Sequence, residues 1–363
     1  MKLQNGHKYT TILFALILLS QPLYADNHVS SDYQDLNPRV LEAINRGLEW
    51  LEKQQEDSGL FRHHPGITGL ALTAFLRHPQ NQYAEADNPF IQKSIKALLA
   101  LQQPDGGIYN VEMQPALPNY NTSVSLMALS SAKNPEYDMA IAKAQGFIKG
   151  LQVTDEGDVY FGGIGYGSRE SVHDLSNMSF AIQALKESGS DDPAVWDKAV
   201  KFLERCQNRS ETNDQDWAGD DGGFIYAPDG ESKAGDHRSY ASMTYAGLLS
   251  FIYAEVDRDD PRVQGAVDWI TKHFTVEENY GMEQQGLFYS YHTMAKALKT
   301  YGQSTIVDAK GVSHDWYREL AEKLIAEQNP EGWWVNESSR WMERDRVLVT
   351  SYAVIALATA YSE

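Results

Sequence analysis

The chain has 363 residues, 31 Lys and Arg against 50 Asp and Glu, a net charge of −19, and one cysteine, Cys206. So acidic a surface repels nucleic acid and anionic lipid and argues against both as partners. One thiol allows no internal disulfide, so the fold rests on its core, and a chain this long can bury a large one.

The first element is an apolar run, TILFALILLS, preceded by Lys2 and Lys8 and followed by Leu23-Tyr24-Ala25. This is the pattern of a secretory signal over residues 1–25, too short to span a bilayer comfortably. Its expected removal takes the net charge from −19 to −21 and places the mature protein in the periplasm or medium, with no remaining membrane span. Residues 26–36 are expected to form a flexible mature N-terminus, and 37–363 a single domain.

From there two kinds of helix alternate. One kind is amphipathic with a charged face, as in PRVLEAINRGLEWLEKQ and DPRVQGAVDWITKHF, often opened by Asp-Pro or Asn-Pro. The other kind is Ala/Leu-rich with few charges and should be buried nearly all round: 69–76, 123–130, 179–186, 242–249, 292–299 and 351–358. Between them recurs a glutamine-rich helix end followed by a glycine turn and an aromatic or apolar residue, at 50–61, 97–109, 147–163, 202–226, 270–289 and 324–334. A spacing of about 50 residues suits one helix pair per repeat. Six pairs predict an all-α fold, an (α/α)6 toroid with two concentric layers. The glutamine turns, including Gln54, Gln55, Gln102, Gln103 and Gln328 with Trp50 and Trp333, are expected to fasten outer helices to neighbouring turns.

These glutamine–glycine–aromatic turns on paired helices resemble the repeats of squalene and oxidosqualene cyclases and of protein prenyltransferase β subunits. The resemblance covers residues 38–361 and implies the toroid fold. In the cyclases an acidic D-x-D-D-T-A motif precedes an inner helix, and its central aspartate is the proton donor. Laid on that motif, the stretch 174–179 (DLSNMS) keeps Asp174 as the first acid, places Ser176 at the donor position and Asn177 at the last acid. Serine cannot protonate an alkene at any ordinary pKa, so the resemblance does not imply standard protonation-initiated cyclisation. The prenyltransferase zinc set fares similarly. His292 matches one ligand, whereas Arg238 and Tyr240 stand where the Asp and Cys ligands belong.

Each buried helix opens with a polar cluster, and in a toroid these starts share one mouth. Single Ser, Asn or Asp residues there read as helix caps, as for Asn121 and Thr350. Six clusters rich in His, Tyr and Arg read as a ligand site. The candidate catalytic residues are Asp174, His292 and Asp345, with Asp236 and Glu343 as further carboxylates. The candidate binding residues are Asn177, Ser176, Arg238, Tyr240, Tyr291, Tyr120 and Trp341. No metal or cofactor is assigned. Zinc is an option through His64, His173, His237 and His292, and calcium through the acidic loop 211–223. The glycine-rich 160–168 reads as a loop over the mouth, not a phosphate loop, and Cys206 as a packed thiol. The expected protein is an exported, monomeric toroid taking an apolar, isoprenoid-like small molecule or lipid in its cavity. The alternatives are a carbohydrate-active hydrolase or lyase and a non-catalytic interaction platform.

Overall fold

The structure, a computed structural model, describes residues 33–167 and 172–361; the expected signal, 1–25, lies outside the described residues. Of the segment 26–36, the described part is anchored, with Leu36 fully buried and the Tyr33 hydroxyl donating to Asp315 at 3.1 Å.

The odd-numbered helices form the outer layer: α1 Asn37–Glu52, α3 Pro89–Ala100, α5 Asp138–Gly150, α7 Pro193–Cys206, α9 Pro261–His273 and α11 Trp316–Glu327. The even-numbered ones form the inner layer: α2 Pro65–Leu76, α4 Pro118–Ser131, α6 Leu175–Glu187, α8 Ala241–Tyr253, α10 Leu287–Tyr301 and α12 Arg346–Ala360. Each inner helix packs on the next, and α12 returns to α2, so the ring is closed. This is an (α/α)6 toroid.

The two layers follow from two residue patterns. Along α7, Val195, Ala199, Phe202, Leu203 and Cys206 are buried, one stripe at helical spacing, while the other face is wet. Along α2 every residue from Pro65 to Phe75 is buried, since both faces meet protein. Small residues bring the inner helices close: a Cβ on Gly69 would sit 2.9 Å from the Val124 backbone. Cys206 is fully buried in this packing.

The outer layer is tied by a repeated fastener. Gln102, Gln152, Gln207 and Gln328 each donate to two carbonyls at 2.8–3.1 Å. One belongs to the helix's own glycine turn, at Gly106, Gly162, Gly222 or Gly332. The other belongs to the next outer helix, at Ala140, Val195, Arg262 or, closing the ring, Ala43. Each of these glycines has φ between +83° and +104° and packs on a backbone carbonyl three residues further along that same helix. A side chain fits neither the conformation nor the space. Gln55 makes the α1–α3 link through Phe90 and Ser94. Gln54 and Gln103, by contrast, bond only within their own turns. At the sixth seam, α9 to α11, Phe274 occupies the position after the helix where α7 and α11 carry glutamine. Its ring packs on His314, 5.1 Å away, in a small hairpin of β1 Thr305–Val307 and β2 Ser313–Asp315 that the helical pattern did not announce.

Candidate active site

All six inner helices begin at the same end of the ring, and their first turns enclose a cavity of about 240 Å3. Helix α2 contributes His64 and Ile67, α4 Leu117 and Tyr120, and α6 Ser176, Asn177 and Phe180. Helix α8 adds Tyr240, Ser242 and Met243, α10 adds Tyr289, and α12 adds Leu348 and Tyr352. Tyr166 and Tyr226 come from the loops before α6 and α8, and Trp341, Met342 and Glu343 from the loop before α12. Tyr166 belongs to the glycine-rich stretch, which therefore does reach the mouth, although residues 168–171 lie outside the described residues. Left-handed non-glycine residues cluster at these helix entrances, in pairs at Arg62–His63, Asp236–His237 and Trp341–Met342 and singly at Leu117. Such conformations are unfavourable for L-residues and concentrate at functional sites.

The wall is aromatic, and six of its hydroxyls pair with one another. Tyr166 and Tyr226 hydroxyls lie 2.7 Å apart, those of Tyr120 and Tyr352 3.4 Å apart, and Ser176 Oγ donates to Tyr289 Oη at 3.1 Å. Burial pushes Tyr120 up to about 12 and raises Tyr226, Tyr240 and Tyr352 as well, so all stay neutral.

Two carboxyls are buried at this mouth. Asp174 is fully buried at the N-cap of α6, where it accepts from the Asn177 backbone N–H at 2.9 Å and side-chain amide at 2.8 Å. Burial lifts it to about 6 against those hydrogen bonds. Asn177 is thereby oriented, its Oδ1 buried without a hydrogen-bond partner at the cavity wall. Glu343 is 1% exposed and borders the cavity directly. It lies at the N-terminus of α10, accepting from Tyr289 N–H at 2.8 Å, Phe288 N–H at 3.4 Å and Asn336 Nδ2 at 2.6 Å. A helix N-terminus favours an anion, yet burial outweighs it and lifts Glu343 to about 7. Both carboxyls therefore exchange protons near neutral pH, the range that suits general acid–base work.

The structure separates the remaining candidates. Tyr120, Ser176, Asn177, Tyr240 and Trp341 meet at the cavity with Asp174 behind them. Asp345, expected as a catalytic carboxylate, is instead the cap of α12, accepting from Val347 and Leu348 N–H and pairing with Arg62 at 2.6 Å. Tyr291 turns away from the cavity and donates to the Val276 carbonyl at 2.6 Å, because its ring falls on the outer side of α10. Arg238 is exposed on a separate polar pocket and bonds the Ala234 carbonyl. His292 lies below the cavity floor, packed between Phe180 and Tyr352, with neither ring nitrogen hydrogen-bonded. Burial, then the charge of Lys296, holds it well below its usual range, so it is a neutral imidazole. Asn121 and Thr350 are not caps but latches, accepting from the Gly66 and Trp334 N–H groups. Glu343 was legible only as one carboxylate among several, since its burial depends on the loop's path.

Among the described residues no three His, Cys, Asp or Glu side chains gather as a metal site. His64 caps α2, and His237 bonds Gly230 and stacks on Trp217. In the acidic loop Asp214 pairs with Arg205, Asp220 accepts from Ser210, and Asp221 accepts from Ser239. No helix among the described residues is long and apolar enough to cross a membrane.

Comparison with known proteins agrees with this architecture. No family model matches the chain. It is 24% identical over 268 residues to the squalene–hopene cyclase of Bradyrhizobium diazoefficiens, a match covering 68% of this chain and 38% of that relative's length. The apo structure of the type II terpene cyclase MstE from Scytonema superposes over 89% of this chain and 98% of its own, with TM-score 0.54 and 13% identity. Its fold is that of the terpenoid cyclase and protein prenyltransferase toroids. The toroid is also shared with the α-1,6-mannanase GH76A of Salegentibacter sp. HEL1_6, solved as an inactive variant with α-1,6-mannotriose. There the TM-score is 0.58 at 11% identity, over 89% of this chain and all of that one.

Proposed function

We propose that this toroid binds a small, largely apolar molecule of the isoprenoid class in its central cavity and moves a proton on it. The carrying observation is the buried carboxyl of Glu343, poised at about 7 in an aromatic wall. A carboxyl raised to this range is too weak to protonate an isolated alkene, and Ser176 supplies no acid in its stead. It suits proton transfer at an activated carbon or at oxygen, with Asn177, itself held by Asp174, orienting the substrate from the opposite wall. A cavity of about 240 Å3 lies below the usual 300–1,000 Å3 of ligand pockets, so a long chain would not fit in full. Export, guided by residues 1–25, and a monomeric state belong to the same proposal. The test is to incubate the protein with short isoprenoid alcohols and aldehydes in D2O and follow deuterium uptake by mass spectrometry. Uptake that Glu343→Gln abolishes supports the reading. Absence of uptake, together with a clean organic extract of the purified protein, would overturn it.

A second reading, carbohydrate processing, draws on the polar pocket beside the cavity, of about 660 Å3. It sets Trp269, His273 and Tyr280 near Asp221, Glu278 and Glu283, the mix of ring faces and carboxylates that sugars require. Reducing-sugar release from a polysaccharide panel, lost in Glu278→Gln, would favour it over the first.

A further inference from the structure

We infer that His292 is a binding residue of the central cavity: it receives a neutral oxygen, hydroxyl or carbonyl, at the deep end of an occupant that is otherwise apolar. The inference deepens the reading above and rests on the cavity being a ligand site.

Helix α10 turns one face to the ring's axis. On that face Tyr289 lines the cavity, His292 follows one turn deeper, and Lys296 one turn deeper again. The direction follows from Lys296, which crosses the axis to Gln183 on α6 at 2.7 Å. His292 is 1% exposed, yet neither ring nitrogen has a hydrogen-bond partner among the described residues. A neutral imidazole carries one N–H donor and one acceptor nitrogen. Unmet polar groups in a native interior are rare and costly, so this pair calls for a partner. A hydroxyl can answer either nitrogen, and a carbonyl the N–H.

Two further observations give the partner's chemistry and its route. Beneath His292, Lys296 and Arg77 set two positive charges against Glu187, and these are the charges that act on the imidazole. The carboxyls of Asp174 and Glu343 lie at the other end, by the mouth. The floor is therefore the electropositive end of the axis, which draws the oxygen end of a dipolar molecule. A carboxylate would need a charged donor there, and both cations are already engaged with Glu187. The route passes between two rings. Phe180 and Tyr352 line the cavity, and their centroids lie 6.3 and 5.3 Å from that of the imidazole. The Tyr352 hydroxyl is held by a 3.4 Å contact to Tyr120, a long hydrogen bond. Turning that ring opens the floor. The added depth brings a cavity of about 240 Å3 toward the size of ordinary ligand pockets.

The test pairs geraniol with 2,6-dimethylnona-2,6-diene, in which a methyl group replaces the hydroxyl. Each is titrated at pH 7 into the full protein and into His292→Phe, which puts an apolar ring in the same place. Geraniol is expected to lose about tenfold in affinity in the variant, and the hydrocarbon nothing. His292→Gln restores a donor and an acceptor and should recover part of the loss. A second readout is nitrogen NMR with isotope-labelled histidine. The ring signal that disappears in His292→Phe, or in His292→Gln should the first variant not fold, is expected to shift with geraniol and to stay put with the hydrocarbon. Geraniol binding that does not depend on residue 292, an equal loss for both probes, or binding of the hydrocarbon alone would overturn the inference while leaving the apolar cavity standing. So would a ring signal that geraniol leaves unmoved because a buried water already holds it. Binding of neither probe would overturn the inference and the cavity reading together.

Discussion

Glu343 destabilises the fold when it ionises. Its carboxyl is held at about 7 in the folded protein, against a usual value near 4.3 in the unfolded chain. The folded state therefore binds the extra proton between those limits, and stability declines as pH rises through that window. The groups facing it do not titrate there. Tyr291 on α10 and Tyr352 on α12 are raised by burial, and Asn336 is neutral. Glu343→Gln removes the penalty, so its melting temperature should exceed that of the wild type by a few degrees at pH 8, with the gap closing at pH 5. A gap independent of pH would show that the carboxyl is not titrating in place. A different buried charge should behave oppositely. Lys296, lowered by burial to about 8, donates to Gln183 at 2.7 Å and Glu187 at 3.1 Å, and Arg77 also pairs with Glu187. Burial alone would raise Glu187, but the two cations outweigh it and hold it at about 2. Lys296→Ala would strand Gln183 and part of Glu187 in the ring's axis and should cost about 3 kcal/mol in chemical denaturation. Lys296→Met, filling the same space, should cost less. Residues of this kind were least legible in the sequence. Asp174 and Ser176 could be placed by their motif position, but Arg238 and Tyr291 shared the same cluster logic and point elsewhere. A cluster marks a helix start, whereas the helix rotation decides which of its members faces inward.

At the scale of elements, the glutamine–glycine turn is the unit that repeats. Gln207→Ala leaves the Gly222 and Arg262 carbonyls without their buried donor, and a loss of about 2–4 kcal/mol is expected in urea unfolding. The glycines offer a controlled comparison. Gly162 and Gly189 have similar φ, +83° and +78°, but a Cβ at Gly162 would lie 1.8 Å from the Lys198 carbonyl, and one at Gly189 would touch nothing within 4 Å. Gly189→Ala should cost only about 1 kcal/mol for its backbone conformation, and Gly162→Ala severalfold more as α7 is pushed outward. Equal costs would remove the close-approach argument. The inner and outer helices were readable because their burial patterns differ, one continuous and one striped. The hairpin at 305–315 was not, because its strands are three residues each and carry no alternation long enough to detect.

At the scale of the molecule, closure is the property that matters. Helices α12 and α2 pack together, and Arg46 on α1 donates to the carbonyls of Asn329 and Pro330 at 2.9 Å, so the first and last helix pairs hold each other. An open solenoid would shed terminal repeats first. This ring should unfold as one unit, with far-ultraviolet circular dichroism and tryptophan fluorescence giving coincident transitions; separated transitions would point to repeat-wise melting. The join that lacks a glutamine changes how such a ring breathes. Five seams are riveted by hydrogen bonds of fixed length and direction, while the sixth is held by the ring contact of Phe274 and by the ion pair of Lys323 with Glu277. Ring contacts constrain direction less than hydrogen bonds do, and the ion pair is exposed. The join between α9 and α11 is therefore the one of the six without a buried glutamine tie. It adjoins the loop that walls the polar pocket and leads into the helix on whose first turn Glu343 rests.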